Sequence, residues 1–422
     1  MKTLTLNTYA GSLLLGANAI KGANIIGSFE DVGFGALNPK ANRAMFTEAM
    51  DDFVFIDYIR QWPHLDLTDT VVLAHPPCSA FSQQNMSAAK RGTGSEAFQC
   101  TVKVLRYAMT NGAAAIAVES VMGALVGAWD IYDSMAEAGG YYVYRVLKNS
   151  LLFGVPQFRE RFWAVLIRKD LAGPTMTWRL SPHIRTMGSV LDPIHPGTPV
   201  DGLSKSIDKF IQQLTVGPCR CGVSHGFDEA DLRATGLANI SGARRKGFSL
   251  LIQPKFFPAV DSKVVRRLHV SPFTSGQPSV LAPGGFAPVL LGSSLWIYRG
   301  VPVSQEGYKA IMGFPIDYQF PKSPYGMRTY LSKGVCPPVA TWILDNILNH
   351  LGAPHGRSPF TLGEGYVKTV EPDHVVSFRP SRVSILKRLD DMWEWRSPDD
   401  DELLELRDEE DDIEGDVAFF GG

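Results

Sequence analysis

Cys78 directly follows Pro76-Pro77 at the end of the apolar run DTVVLA. Cysteine is a good nucleophile once its thiolate is favoured, so the first chemistry to consider is covalent catalysis. The bland alternative is a buried, inert thiol. The two prolines and the polar SAFSQQN that follow weaken it, because they describe a rigid exposed loop. Glu119 closes another apolar run, AIAVES, as a functional carboxylate or as the cap of the next helix. Gln157, Arg159 and Arg161 stand at alternate positions before and into RFWAVLIR. A period of two puts all three on one strand face, which either lines a site or is simply solvated. A cysteine hydrolase would need a histidine with a partner carboxylate. No such pair stands out at a credible place, although His75 precedes the Cys78 loop.

These side chains need elements to position them, and the first 170 residues alternate strand-like and helix-like segments. LTLNTYAG reads as a short strand ending in a glycine turn, residues 12–22 as a helix, and ANIIGSFE as a second strand. VFIDYI, DTVVLAHPP, AAAIAVESV and RFWAVLIR are further apolar runs, with helix-like EAFQCTVKVLRYAMT and AWDIYDSMAEAGG between them. Such alternation predicts an α/β fold, a doubly wound, mostly parallel sheet covered on both faces. Ligands of such sheets sit outside the carboxyl ends of the strands, where Cys78 falls. Residues 171–298 are rich in Pro, Gly and Ser and read as a smaller, irregular domain. Regular patterning returns over 299–354, with helices expected at QEGYKAIMG and PVATWILDNILNHLG. Residues 355–422 read as a polar extension ending in a disordered acidic tail.

The composition bounds the function. A 422-residue chain with 45% hydrophobic residues can bury a sizeable core. No apolar run approaches the roughly 20 residues that span a bilayer, so no membrane role is expected. Five scattered cysteines make no disulfide framework, which points to a reducing, cytoplasmic setting. The net charge of −2 conceals an asymmetry: from Asp390 onward there are 15 acidic and 2 basic residues, net −13, so residues 1–389 carry +11. A basic body suggests a polyanionic partner, the alternative being an ordinary enzyme with a solubilising tail.

The order of these pieces resembles the DNA cytosine C5-methyltransferase family, of the bacterial or phage type. NTYAGSLLLGA is similar to the family's cofactor loop, GSFED to its ribose-binding acidic turn and HPPCSAFS to its Pro-Cys nucleophile motif. RGTGSEAF lies where the family has its next cofactor-contacting helix start. VESV is similar to the Glu-Asn-Val motif, and GVPQFRERFWAV to the Gln-x-Arg-x-Arg motif. VSQEGYKAIMGFP and SKGVCPPVATWI resemble the ninth and tenth motifs, so the likeness covers about residues 3–350. It implies a methyltransferase-type sheet with a target-recognition domain at 171–298, acting as a monomer on double-stranded DNA.

The resemblance also implies roles. Cys78 adds to C6 of a flipped-out cytosine, which makes C5 nucleophilic enough to take a methyl group. Glu119 holds the N3/N4 edge, and Arg159 and Arg161 hold the O2 side and steady the nucleophile loop. The methyl donor is S-adenosylmethionine, with Glu30 and Asp31 at the ribose, Asp57 at the adenine amino group, Tyr9 and Pro77 flanking the ring, and Gly11 allowing close backbone approach. Ser82, Gln157, Arg244, Arg245, Lys246, Arg266 and Arg267 are the expected DNA contacts.

The chain departs from the family pattern at Ser12-Leu13-Leu14, Ser79, Ser120, Glu306 and Ser332-Lys333. Lys333, where the family has an Asn near the cofactor, raises an alternative: a cation for carboxy-S-adenosylmethionine, and so carboxymethyl transfer. A second alternative is a catalytically silent DNA-binding protein of the same fold. Cys219, Cys221 and His225 have poor spacing for zinc, and no metal is expected.

Overall fold

The structure is a computed structural model of the chain. It describes residues 1–29, 54–56, 62–82, 90–157, 159–194, 278–281, 286–287, 289–290, 295–298, 301–320, 324–362, 365–372 and 374–378. In chain order the elements are β1 (Lys2–Leu6), α1 (Ser12–Asn18), β2 (Asn24–Phe29), β3 (Val54–Ile56), β4 (Thr70–Ala74), α2 (Glu96–Thr110) and β5 (Ala115–Ser120). There follow α3 (Gly123–Gly127), α4 (Trp129–Gly139), β6 (Tyr141–Asn149), β7 (Glu160–Arg168), β8 (Met176–Leu180), α5 (Met187–Leu191), β9 (Pro278–Leu281), β10 (Leu295–Tyr298) and β11 (Val301–Pro302). The last described elements are α6 (Gln305–Ile311), α7 (Pro324–Lys333), α8 (Pro337–His350), β12 (Tyr366–Val370) and β13 (Val375–Phe378).

Eight strands form the main sheet in the order β13-β6-β7-β5-β4-β1-β2-β3. Strands β1 to β5 run parallel, and β7 runs antiparallel to both its neighbours, β5 and β6. Strands buried on both faces carry continuous apolar runs, as in TVVLA of β4, buried at every position. On one face Val71, Leu73, Ala117 and Trp163 pack with Leu13 and Leu14 of α1 and Val339, Trp342 and Ile343 of α8. On the other face Val72, Ile116, Val118 and Leu166 pack with Phe98, Val102 and Leu105 of α2 and Tyr132 of α4. The sheet is therefore mostly parallel and doubly wound, as the alternation of segments predicts.

Helix starts follow their capping residues. Ser95 accepts from the Phe98 N–H to open α2, and Ser304 accepts from the Gly307 N–H to open α6. Pro337 opens α8, where its missing N–H costs no hydrogen bond. Helix α1 is shorter than the segment 12–22 suggests and gives way to a turn at Ala19.

The packing departs from the expected divisions at two places. Met176, Trp178, Leu180, Met187 and Leu191 sit in the same core as α1 and α8, so that core continues past residue 170. The Trp342 Nε1 donates to the Arg179 carbonyl at 2.6 Å, fixing β8 to α8. Past residue 354 the chain is also structured: β12 pairs antiparallel with β8, and β13 adds a parallel edge strand beside β6. The sequence hides this because both strands are short and follow a Pro- and Gly-rich stretch. Most of the segment expected to recognise DNA lies outside the described residues, as does the acidic tail. No helix among the described residues is long and apolar enough to cross a membrane.

Candidate active site

The carboxyl ends of β1, β4 and β5, neighbours in the middle of the sheet, carry the candidate side chains. Ladder pairs Val71–Ala115 and Leu73–Ala117 put odd-numbered residues of β4 and β5 on one face. His75 and Glu119 continue those two rows past the last paired residues, so period two delivers them side by side. Glu119 lies opposite Trp163 on β7, and Lys148 on β6 lies opposite Arg161. One sheet face thus collects His75, Glu119, Arg161 and Lys148.

His75 Nε2 is 3.0 Å from Glu119 Oε2, and Arg161 Nε is 3.2 Å from Glu119 Oε1. The Glu119 side chain is fully buried and that of His75 is 2% exposed. Neither cation points an N–H squarely at the carboxylate, so both Glu119 oxygens keep hydrogen-bonding capacity, as does His75 Nδ1. Buried polar atoms are rarely left so. Here they cluster at the place where such sheets bind their ligands.

Cys78 sits at the mouth of this cluster. It is partly exposed and precedes a short 3-10 turn, Ser79–Phe81, with φ −87° and ψ 0°. That sparsely populated bridge conformation recurs at active-site residues. Burial pushes the Cys78 thiol up, but the nearby His75 ring outweighs it, with help from Arg161, and the net shift is downward. For Glu119, burial again opposes the charge, and His75 and Arg161 hold the carboxyl below its usual range. Burial lowers His75, but the Glu119 carboxylate and the Cys78 thiol outweigh it and push the ring up to about 9. Near neutral pH the cluster is a charged one: imidazolium, carboxylate and a thiol inclined to ionise. Lys148 is pulled down to about 7 by burial, with Glu119 opposing.

Arg159 has a different task from its neighbour. It is buried, and its Nη2 donates to the carbonyls of Ser332 and Gly334 at 3.0 and 2.8 Å. It thereby fixes the turn between α7 and α8 beside the site, leaving Nε and Nη1 without partners. Gln157 is buried, and its Nε2 donates to Met312 Sδ at 3.3 Å. The period-two reading fails there because β7 begins only at Glu160.

The expected cofactor loop joins β1 to α1. Asn7, Tyr9 and Gly11 all adopt left-handed φ, at 54°, 55° and 76°. Non-glycine residues persist there only where their surroundings impose it. Tyr318 Oη donates to the Ala10 carbonyl at 2.6 Å, and Ser12 Oγ accepts from the Val335 N–H at 3.3 Å. The Tyr9 ring meets His75 edge-on at 5.0 Å, tying this loop to the Cys78 loop. Pro77 and Ser82 are both partly exposed on that second loop. Lys333 is exposed at the last position of α7. Glu30, Asp31, Asp57, Arg244, Arg245, Lys246, Arg266 and Arg267 lie outside the described residues, as do Cys219, Cys221 and His225.

His75 and Lys148 are the residues that sequence reasoning missed. A histidine with a partner carboxylate does exist, contrary to expectation, because strands far apart in sequence bring His75 and Glu119 together. The available signal was parity: each polar residue ends an apolar run on the same alternation as the buried residues before it.

Residues 1–196 match the family model described as C-5 cytosine-specific DNA methylase. Those 196 of the 422 residues thus match the family that the motifs resemble. Among solved structures, it is similar to an Escherichia coli prophage protein assigned as a DNA modification methyltransferase, at 15% identity and TM-score 0.48, covering 83% of this chain and 99% of that one. It is also similar to a mutant of Spodoptera frugiperda DNMT2, at 12% identity and TM-score 0.44, covering 82% and 99% of the two chains. A third is the Entamoeba histolytica methyltransferase EhMeth, at 11% identity and TM-score 0.46, covering 83% and 98%. No curated protein matches the chain.

Proposed function

We propose that the protein is a DNA cytosine-5 methyltransferase, using S-adenosylmethionine and acting through a covalent bond between Cys78 and C6 of the base. The observation that carries this reading is the Cys78–His75–Glu119–Arg161 cluster at the carboxyl edge of a methylase-family sheet. The described part of the cofactor site suits the donor: a strained turn after β1 with a buried tyrosine lies at the central strands, where such sheets hold nucleotides. Glu30, Asp31 and Asp57 are the proposed ribose and adenine contacts. When bound, S-adenosylmethionine supplies an electrophilic methyl group.

The chain's own residues supply the rest. Cys78, its thiolate favoured, adds to C6 and turns C5 into a nucleophile. Glu119 accepts from the exocyclic amine with the oxygen capacity its cationic neighbours leave free. Arg161 holds the carboxylate in place from 3.2 Å. Arg159 fixes the Ser332–Gly334 turn and leaves Nε and Nη1 for the polar edge of the base. Such a pocket takes one base out of the duplex, so a single chain suffices, with residues 195–277 and their basic clusters as the proposed DNA-facing segment. Methyl is the proposed transferred group. Lys333, the residue on which carboxymethyl transfer rests, is exposed at a helix end.

The test is nucleoside mass spectrometry on unmodified duplex DNA incubated with the protein and S-adenosylmethionine, with the carboxylated donor in a parallel reaction. The expected product is 5-methylcytosine from wild type and none from Cys78→Ala. If 5-carboxymethylcytosine dominates in a mixed reaction, the donor is misassigned. Wild type that binds DNA of diverse sequence but modifies none would sink the enzymatic reading in favour of a silent binder.

A further inference from the structure

The cluster holds two side chains that the cytosine chemistry above does not use, His75 and Lys148, and His75 is the one that interacts with the thiol. His75 meets the Tyr9 ring after β1 and Glu119 near the end of β5, and interacts with the Cys78 thiol after β4. We propose that His75 is the proton partner of Cys78, holding as imidazolium the proton that the thiol gives up, so that sulfur adds to the base as a thiolate. The proposal rests on Cys78 being the nucleophile of the site just described.

The geometry is that of a nucleophile, a base and an orienting carboxylate. Glu119, 3.0 Å from Nε2, fixes the ring from behind. Nδ1 is buried with no aligned partner inside the folded chain, and the ring stands three residues before the thiol, with which it interacts. A histidine buried for packing alone would have both nitrogens satisfied. The shifts agree in direction: Cys78 is lowered with His75 as the chief favourable cause, and His75 is raised with Glu119 as the chief favourable cause. The other charged groups facing the cluster are Arg161 from β7, Arg159 before it and Lys148 from β6. All three are cationic or neutral, so none competes with Glu119 as the partner of the ring.

The step balances. Before the base arrives the Sγ–H bond has broken: its pair stays on sulfur and its proton is the one that completes the imidazolium. The sulfur pair forms the bond to C6, and the displaced C5–C6 pair attacks the methyl carbon, whose bond to the sulfonium sulfur breaks onto that sulfur. The C5 proton then leaves to water, its bonding pair restores the C5–C6 double bond, and the carbon–sulfur pair returns to Cys78. The released thiolate again faces the imidazolium, and the only net proton is the one lost from C5.

The test needs neither DNA nor a methyl donor. The alkylation rate of Cys78 by iodoacetamide is followed from pH 5 to 10 by peptide-resolved mass spectrometry, which separates it from the other cysteines. Wild type should titrate below about 8.5, the ordinary thiol value. His75→Gln should move the midpoint up by about one unit or more and slow alkylation at pH 7 roughly tenfold, the two proteins converging at pH 10. An unchanged midpoint in folded His75→Gln overturns the proposal, because Arg161 would then set the thiol alone. A wild-type midpoint at or above the ordinary value overturns it without any variant. If the thiol responds as expected but no modified cytosine is found, the proton pairing stands and the cytosine reading fails.

Discussion

Among the described groups that set the charge of this site, Glu119 is the one carboxylate, facing His75, Arg161 and Lys148. Glu119→Gln keeps the shape and removes the charge. Its cost can be worked from the ring it holds. His75 is raised from 6.5 to about 9 in the folded chain, a difference of about 2.5 units, and each unit corresponds to about 1.4 kcal/mol. The ring has an escape: without the carboxylate it releases its proton, so the loss is capped near the pairing energy, about 3 kcal/mol. The sign follows from linkage. A folded-state pKa raised above the unfolded value stabilises fully below 6.5 and loses that contribution as pH rises through 9. The gap in unfolding free energy between the parent and its Glu119→Gln variant should thus be about 3 kcal/mol near pH 6.5 and shrink towards zero by about pH 9.5.

The assay is urea unfolding from pH 6 to 9.5, carried on a Cys78→Ser background so that the thiol does not titrate in the same window. Taking the difference cancels every group that titrates alike in both proteins. Lys148, which Glu119 also raises, adds to the gap in the same direction below its folded-state value of about 7. Parallel stability profiles across that range would show that Glu119 does not hold a proton on His75, and the charge assignment of the site would be refuted.

Three further outcomes are expected. Gly16→Ala should destabilise by about 1–3 kcal/mol despite a helix-propensity gain of about 1, because the added Cβ would stand 2.5 Å from Ala340 Cβ and 2.7 Å from the Pro337 carbonyl where α1 crosses α8; a raised urea midpoint would contradict this. Asp345→Asn should cost about 2–4 kcal/mol and expose residues 353–361 to proteolysis, since buried Asp345 accepts from His355 Nε2 at 2.6 Å, the Ser358 N–H at 3.1 Å and the Thr361 hydroxyl; unchanged protease protection would count against it. Lys148→Met should stabilise at pH 6 and progressively less towards pH 10, because a folded-state pKa of about 7 against an unfolded value of 10.5 makes the charged amine a liability at acid pH; equal gains at both pH values would show that the amine stays charged in the fold.

How far the site is legible depends on which physical signal carries each part. The reactive thiol and the carboxylate end apolar runs, and an apolar run that stops at a polar residue is visible in one dimension. Cys78 and Glu119 are found that way and Arg161 by alternation into the next run, and the structure brings them together. The elements are legible for the same reason: the segment EAFQCTVKVLRYAMT is α2 residue for residue, between a serine cap and Asn111. Gln157 is misplaced when alternation is extended beyond the strand that enforces it. Strands β12 and β13 escape notice because edge strands of 5 and 4 residues owe their place to partners, β8 and β6, more than 180 positions away in sequence.

The pairing of His75 with Glu119 belongs to a third kind, written in two segments but readable only once their register is known. With Val71 beside Ala115 and Leu73 beside Ala117, the next same-face step on each strand is a histidine and a glutamate. A one-residue slip of β4 against β5 would put the ring on the opposite face from the carboxylate. Both strands are buried on each face, and such a slip would exchange Val71 and Leu73 for Val72 and Ala74 in the core shared with α1 and α8, changing the side-chain volumes packed there. The same apolar packing that stabilises the sheet therefore fixes the register that makes the ion pair. It follows that substitutions in that core, far from Cys78, should alter the protonation of the thiol before they unfold the chain.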